Sequence, residues 1–371
     1  MMRAPRSFAI VVRRRDGSLH VRERAMDGTR RGLAKLPLVR GVASLVESLK
    51  LGSEALRFSS EQMEKDMALQ DLGDELAERA ASAPKKKPSP PGALHMLSAF
   101  KALALTVFVL ATGDGASAAP TTAKRRGSTL WLMLILVIAF FIALPQGAAA
   151  GINRLFKLGL EVQSPGFQAI TGVLKLSIVV GYLTLIRRVP DIRRVFQYHG
   201  AEHKTISTYE AREELTVANA RAKSTLHPRC GTTFLVMIAF VSILVFTAVG
   251  SFLPRIHTSS ALLDNVIFFL EKLPFLPVIA AVTFELQRVT ARYCTTGPLR
   301  ALLWPGFLCQ KITTIEPDDD QLEVALASLR ATLFRQEAGQ SYDVNDDVAF
   351  PNYEAILEAS ELRPQLVEAS A

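Results

Sequence analysis

The residues most able to do chemistry lie in two short clusters, Tyr198-His199-Gly200-Ala201-Glu202-His203-Lys204 and His227-Pro228-Arg229-Cys230-Gly231. They hold three of the chain's six histidines and one of its three cysteines. On a helix, His199 and His203 stand one turn apart on the same face, with Glu202 beside them. Two imidazoles so placed can share one divalent metal ion such as zinc, and a neighbouring carboxylate can take a proton from water bound to it. His227 and Cys230 form an H-x-x-C pair that would complete the coordination sphere. A site using all four ligands would be closed and structural, because catalysis needs an open position. The same residues have a plainer reading. Phe196, His199, His203 and Ile206 share one helix face, and buried imidazoles are often hydrogen-bonded core groups; a buried Cys230 would be inert.

His199-x-x-Glu202-His203 has the form of the inverzincin metallopeptidase motif, in which two histidines bind zinc and the glutamate is the base. Five residues make a short signal. In that motif a further glutamate completes the ligand set, and burial makes Glu285 the carboxylate to consider. Glu316-Pro317-Asp318-Asp319-Asp320 could offer oxygen ligands to a hard cation, but acidic residues at a helix start more often stabilise its dipole.

The elements that must position these clusters are apolar. The 371-residue chain is 49% hydrophobic yet carries 43 Lys and Arg against 35 Asp and Glu, so its apolar residues must sit in blocks. A crossing needs about 20 mostly apolar residues. Thr129 to Ala148, Ile170 to Ile186, Thr232 to Leu253 and Phe275 to Val289 are the candidates, Lys175 and Glu285 being the charges within them. Ala93 to Thr112 holds His95 and Lys101 and is read as interfacial or re-entrant. A fifth crossing there would put the basic 187–231 loop outside, against the positive-inside rule. The expected fold is therefore a mainly α-helical polytopic membrane protein with about four transmembrane helices and both termini cytoplasmic, in a bacterial inner membrane. Three widely spaced cysteines, and a basic start without an apolar signal core, argue against a disulfide framework and a secretory signal.

Outside the spans, Ser7 to Arg13 alternates Phe8, Ile10 and Val12, and Asp16-Gly17 turns into Leu19 and Val21, predicting a β-hairpin. Residues 1–76 form this hairpin and an amphipathic helix from Leu38 to Phe58, lying on the membrane or on the hairpin. Residues 77–92 read as a Pro-rich linker. The membrane core runs from 129 to 335 and ends in a helix with Leu322, Leu326, Leu329 and Leu333 on one face, started by a capping-box-like Asp320-x-x-Glu323. The acidic tail 336–371 is expected to be largely mobile.

With these stretches in view, the chain resembles the YqhQ family of bacterial membrane proteins, which has no assigned biochemical role. The resemblance rests on MMRAPRSFAIVVRRRDG, PDIRRVFQYHGAEHKTISTYE, EELTVANARAKSTLHPRCGTTFL and PGFLCQKITTIEPDDDQLEVALASL, and covers about 1–333. It implies a polytopic fold and metal dependence resting on the same histidines, and no substrate. The chain departs from the family in lacking a Gly-rich lead and in having Thr171-Gly172 where Glu-Gly is usual, so no carboxylate role is expected there. The 93–112 helix and the acidic tail look like additions.

Two functions compete. In the first, the chain is a membrane-bound, metal-dependent hydrolase, with His199, His203, His227 and Cys230 as ligand candidates and Glu202 as general base. In the second it is a scaffold or carrier whose loop is structural. The spans offer few polar groups for a solute path. The arginines follow membrane edges and form no stripe interleaved with aromatics, which argues against nucleic acid. The lipid bilayer is the expected partner; protein partners, including a second copy of the chain, are left open.

Overall fold

The computed structural model of the chain describes residues 1–26, 39–81, 144–249, 252–254, 261–294, 297–338 and 347–359. In chain order these form β1 (Met2–Ala4), β2 (Ser7–Arg13), β3 (Leu19–Ala25), α1 (Val39–Ala81), α2 (Leu144–Leu155), α3 (Pro165–Ile186), α4 (Pro190–Glu210), α5 (Val217–Arg221), α6 (Gly231–Val249), α7 (Ala261–Lys272), α8 (Leu276–Tyr293), α9 (Trp304–Thr313), α10 (Asp319–Ala338) and β4 (Val348–Phe350). The molecule is mostly helical, with one small antiparallel sheet in the order β1-β2-β3-β4.

The N-terminal alternation forms the expected hairpin, with Val11 opposite Val21 and Arg13 opposite Leu19. Gly17 takes a φ of +88°, a conformation open to a residue without Cβ, and Asp16 Oδ1 accepts from the Ser18 N–H at 2.9 Å. Both sheet faces are covered. Phe8 and Ile10 pack on Leu51 and Phe58 of α1, while Ala9, Val11, Leu19 and Val21 pack on Val324, Ala327 and Ala331 of α10. The amphipathic helix thus lies on the hairpin, and α1 runs on to Ala81, well past Phe58 and into the stretch read as a linker. The acidic tail, expected to be largely mobile, supplies β4, whose Phe350 pairs with Leu19, and Ile356, which is buried in the same cluster. The outer edge of β3 offers unpaired N–H and C=O groups, and a three-residue strand satisfies them.

The α10 helix is buried on nearly every side. Leu322, Leu326 and Leu329 face Ala201 and Ala220, while Val324, Ala327 and Ala331 face the sheet. Its cap sits two residues before the expected one: the Asp318 N–H donates to Gln321 Oε1 at 2.6 Å, the return arm of a capping box.

Two helical stretches, Pro165–Ile186 and Leu270–Tyr293, are long and apolar enough to cross a membrane; a shorter apolar helix covers Val236–Val249. The first begins with Ser164 accepting from the Phe167 N–H and Pro165 in the first turn. Of the four expected crossings, two therefore meet the length and composition criterion among the described residues. Thr129 to Ala148 falls mostly, and Ala93 to Thr112 wholly, outside them. Small residues set close helix contacts: a Cβ on Gly172 would lie 2.4 Å from Ile243 Cγ1, and one on Gly306 2.3 Å from Thr233 Cγ2.

Candidate metal centre

The α4 helix leaves the end of α3 through Val189 and Pro190 and carries both histidines of the first cluster. Its apolar face, Ile192 and Phe196, packs with Leu183, Ile186, Val236, Cys309 and Ile315. That packing presents the next turns to the segment joining α9 to α10. Ile315 N–H donates to Phe196 O at 3.0 Å, and Gly200 lets the two backbones meet, since a Cβ there would lie 2.2 Å from Ile315 O.

His199 and His203 stack edge to face with ring centroids 4.5 Å apart. His199 Nδ1 donates to Thr313 O at 2.9 Å, and His203 Nδ1 donates to Thr225 O. A carbonyl only accepts, so both Nδ1 atoms carry hydrogen and the Nε2 atoms are left for another partner. That partner is Cys230: its Sγ lies 3.2 Å from His199 Nε2 and is hydrogen-bonded by His203 as well. Donor atoms of His199, His203 and Cys230 all lie within 4.8 Å of one another, a group that can hold a metal ion.

Charge is coupled across this group. Burial opposes ionisation of the Cys230 thiol, but the adjacent His199 and His203 rings outweigh it and hold the thiol well below its usual range. Burial likewise opposes a charge on His199, but Cys230, then the Glu202 carboxylate and Thr313 O, push it up to about 9. A thiolate and an imidazolium face each other where a cation would sit. Cys230 also stands directly before the first turn of α6, where a helix favours negative charge.

The remaining candidates are placed differently. His227 lies 5.8 Å from His203 by ring centroid, outside the three-residue group. Its Nε2 faces Glu210 Oε2 at 3.3 Å, and its Nδ1 accepts the Arg229 N–H. Burial pushes its pKa down against the pull of Glu210. Glu202 is half-buried and acts on His199 through its charge. Glu285 is held by Arg40, whose Nε donates to Oε1 at 2.6 Å. Glu316 pairs with the buried Lys204 at 2.6 Å and Asp319 with Arg221, so the acidic run ties helices together.

Sequence reasoning missed the residues that aim the ligands. Gln310, fully buried, donates to His227 O at 2.7 Å and to Thr233 Oγ1 at 2.6 Å, and accepts from His227 N–H at 2.8 Å. Gln287 donates to Cys230 O at 2.9 Å. Together they clamp the His-Pro-Arg-Cys turn. The Thr225 and Thr313 carbonyls leave no mark in a sequence, whereas a glycine between two candidate ligand histidines does.

Fold and site together define a mostly helical protein with two helical stretches long and apolar enough to cross a membrane and a His/His/Cys group that can hold a metal ion. The chain belongs to the family described as a protein of unknown function (DUF1385), whose model matches residues 36–335. It is similar to the uncharacterized protein YqhQ of Bacillus subtilis strain 168, at 29% identity over 334 residues, covering 89% of this chain and 88% of the relative. No solved structure matches it.

Proposed function

We propose that the chain is a four-crossing integral membrane protein that holds a divalent metal, with zinc the best fit, on its cytoplasmic side. In this reading the protein ligands are His199, His203 and Cys230, and His227 supports the turn. The observation that carries it is the pair of Nδ1 tethers. Each histidine is fixed by a backbone carbonyl so that its Nε2 meets the same sulfur, the outer-sphere arrangement that orients metal-binding imidazoles. Imidazole and thiolate donors suit zinc and disfavour hard cations.

Three protein ligands leave one tetrahedral position for water. Glu202, near enough to act on His199, would serve as base for such a water, which makes metal-assisted hydrolysis the reaction class we propose. Glu202→Gln keeps the shape but cannot take a proton; it is expected to retain the metal by elemental analysis and lose hydrolytic turnover. A scaffold reading draws on one fact, the His199 to Cys230 hydrogen bond, which satisfies both groups without an ion. Purified protein without stoichiometric metal would favour it.

The membrane reading is supported by how little of the apolar surface is covered. Only 17% of the most apolar window of α3 and 28% of that in Leu270–Tyr293 is buried, whereas the core helix of a soluble protein would be mostly covered. The basic loop and both termini are cytoplasmic in this reading. Ser224 is exposed and the native cysteines 230, 294 and 309 are buried. Ser224→Cys in intact cells is expected to resist a membrane-impermeant thiol reagent added outside, and labelling there would sink the four-crossing topology.

Metal binding must also displace the proton that holds His199 charged up to about 9. Below that pH the proton competes, so affinity rises with pH and levels off above it. One competing proton, half released at pH 9, gives an expected gain of about fiftyfold in zinc affinity from pH 7 to 9. Titration with a competing chelator measures it; a flat profile would mean that His199 is not displaced.

A further inference from the structure

A second polar feature lies inside the helices, far from the histidines. A cavity of about 150 Å³ opens between α2, α3, α6 and the start of α8, and two lysines line it, Lys175 and Lys272. Among the described residues no acidic side chain lines it. Lys272 Nζ donates to Gln168 Oε1 at 2.8 Å and lies over the Phe268 ring, 4.2 Å from its centroid. Lys175 has no hydrogen-bond or ion-pair partner among the described residues. Two lysines in one apolar bundle, with no counter-charge among the described lining residues, are costly to keep charged unless an anion bridges them.

Position and surroundings narrow the class of anion. From Lys175 to Ile186, at the metal-centre end of α3, the helix rises about 16 Å; from Gln168 to Ile186 it rises about 27 Å. Lys272 contacts Gln168, so the cavity runs from mid-membrane toward the interface on the side away from the histidines. Its wall includes Leu273 and Leu276, which are 39% and 45% exposed, so the mouth opens onto the apolar outer surface. An entering ligand would meet hydrocarbon before it met charge.

We infer that this cavity seats the phosphate of an anionic lipid from the leaflet opposite the metal centre, held between Lys272 and Lys175 with an acyl chain along Leu273 and Leu276. Gln146 and Gln168 also line the cavity, the latter holding Lys272 in place through its Oε1. The inference rests on the membrane reading of α3 and α8 but not on the metal.

Native mass spectrometry of the full chain in detergent, titrated with phosphatidylglycerol or phosphatidylcholine, tests it. One retained phosphatidylglycerol per chain is expected, bound about tenfold more tightly than phosphatidylcholine, as for loss of a charge-assisted contact. Lys175→Gln and Lys272→Gln should each remove that preference, while Lys272→Arg, which keeps the charge, should retain it. Equal retention of the two lipids, or an unchanged preference in both Gln variants, would overturn the site. Saturation by inorganic phosphate with no phosphatidylglycerol retained would overturn the lipid assignment and leave a soluble anion as occupant. If the chain leaves membranes on alkaline carbonate washing, the membrane reading itself fails; if it stays and shows no lipid preference, only this inference does.

Discussion

Protein purified without chelators carries one zinc per chain, and His203→Ala carries none: that is the expected result with the largest effect. Zinc sites with four protein ligands are worth roughly 10 to 16 kcal/mol at neutral pH, so one protein ligand is worth about 2.5 to 4 kcal/mol. The loss corresponds to about two to three orders of magnitude in affinity. His203 is the sharper choice of the two histidines because it is the more buried, and water can less readily replace it. The control is His227→Ala. Its ring nitrogens are engaged by Glu210 and the Arg229 N–H, so the metal should remain even if the turn loosens. Inductively coupled plasma mass spectrometry reads all three proteins. Equal zinc in wild type and His203→Ala would place the metal elsewhere; zinc lost from His227→Ala but kept in His203→Ala would reverse the ligand assignment.

The expected topology of that comparison came partly from sequence. Four-residue spacing on a helix puts His199 and His203 on one face before any tertiary contact is known, and the rings do meet. Cys230 was a candidate as a member of the second cluster, but nothing in H-x-x-C tells which of its two members turns toward the helix. That choice is made by Gln310 and Gln287, which hold the turn by its backbone and come from α9 and α8. Long-range side-chain to backbone contacts leave no periodic signal. The strands behaved in the same way. Alternation identified the face of Phe8 and Ile10, yet Ala9 and Val11 are buried as well, because α10 covers the second face from more than three hundred residues away. The β4 strand was invisible for a related reason: three residues in an acidic tail become a strand only because β3 has an open edge. Glu285 was considered as a ligand on burial alone, and burial gave no hint that Arg40 would take it.

The second large effect concerns the residue that lets the site close. Gly200→Ala is expected to destabilise the protein and to loosen the metal together. The added Cβ would sit 2.2 Å from Ile315 O, a backbone atom that cannot rotate away. Helical backbone accepts alanine better than glycine, by about 1 kcal/mol, so on propensity alone the change would stabilise α4. Steric strain has the opposite sign and the larger size. Separating α4 from the 314–316 segment breaks the bond from Ile315 N–H to Phe196 O and draws Thr313 O away from His199 Nδ1. Overpacking of this kind costs about 1 to 3 kcal/mol, and a lost buried hydrogen bond adds about 1 kcal/mol or more. A released Nδ1 also frees the imidazole to rotate, and losing such an outer-sphere tether costs about 10- to 100-fold in metal affinity. Thermal unfolding in detergent and zinc titration of the same sample measure both quantities. Gly181→Ala, where a Cβ would meet nothing within 4 Å, is the matched control and should leave both unchanged or slightly improved. A Gly200→Ala protein as stable as wild type, with undiminished zinc affinity, would mean that α4 and the segment leading into α10 do not make the close approach on which the geometry of the centre depends.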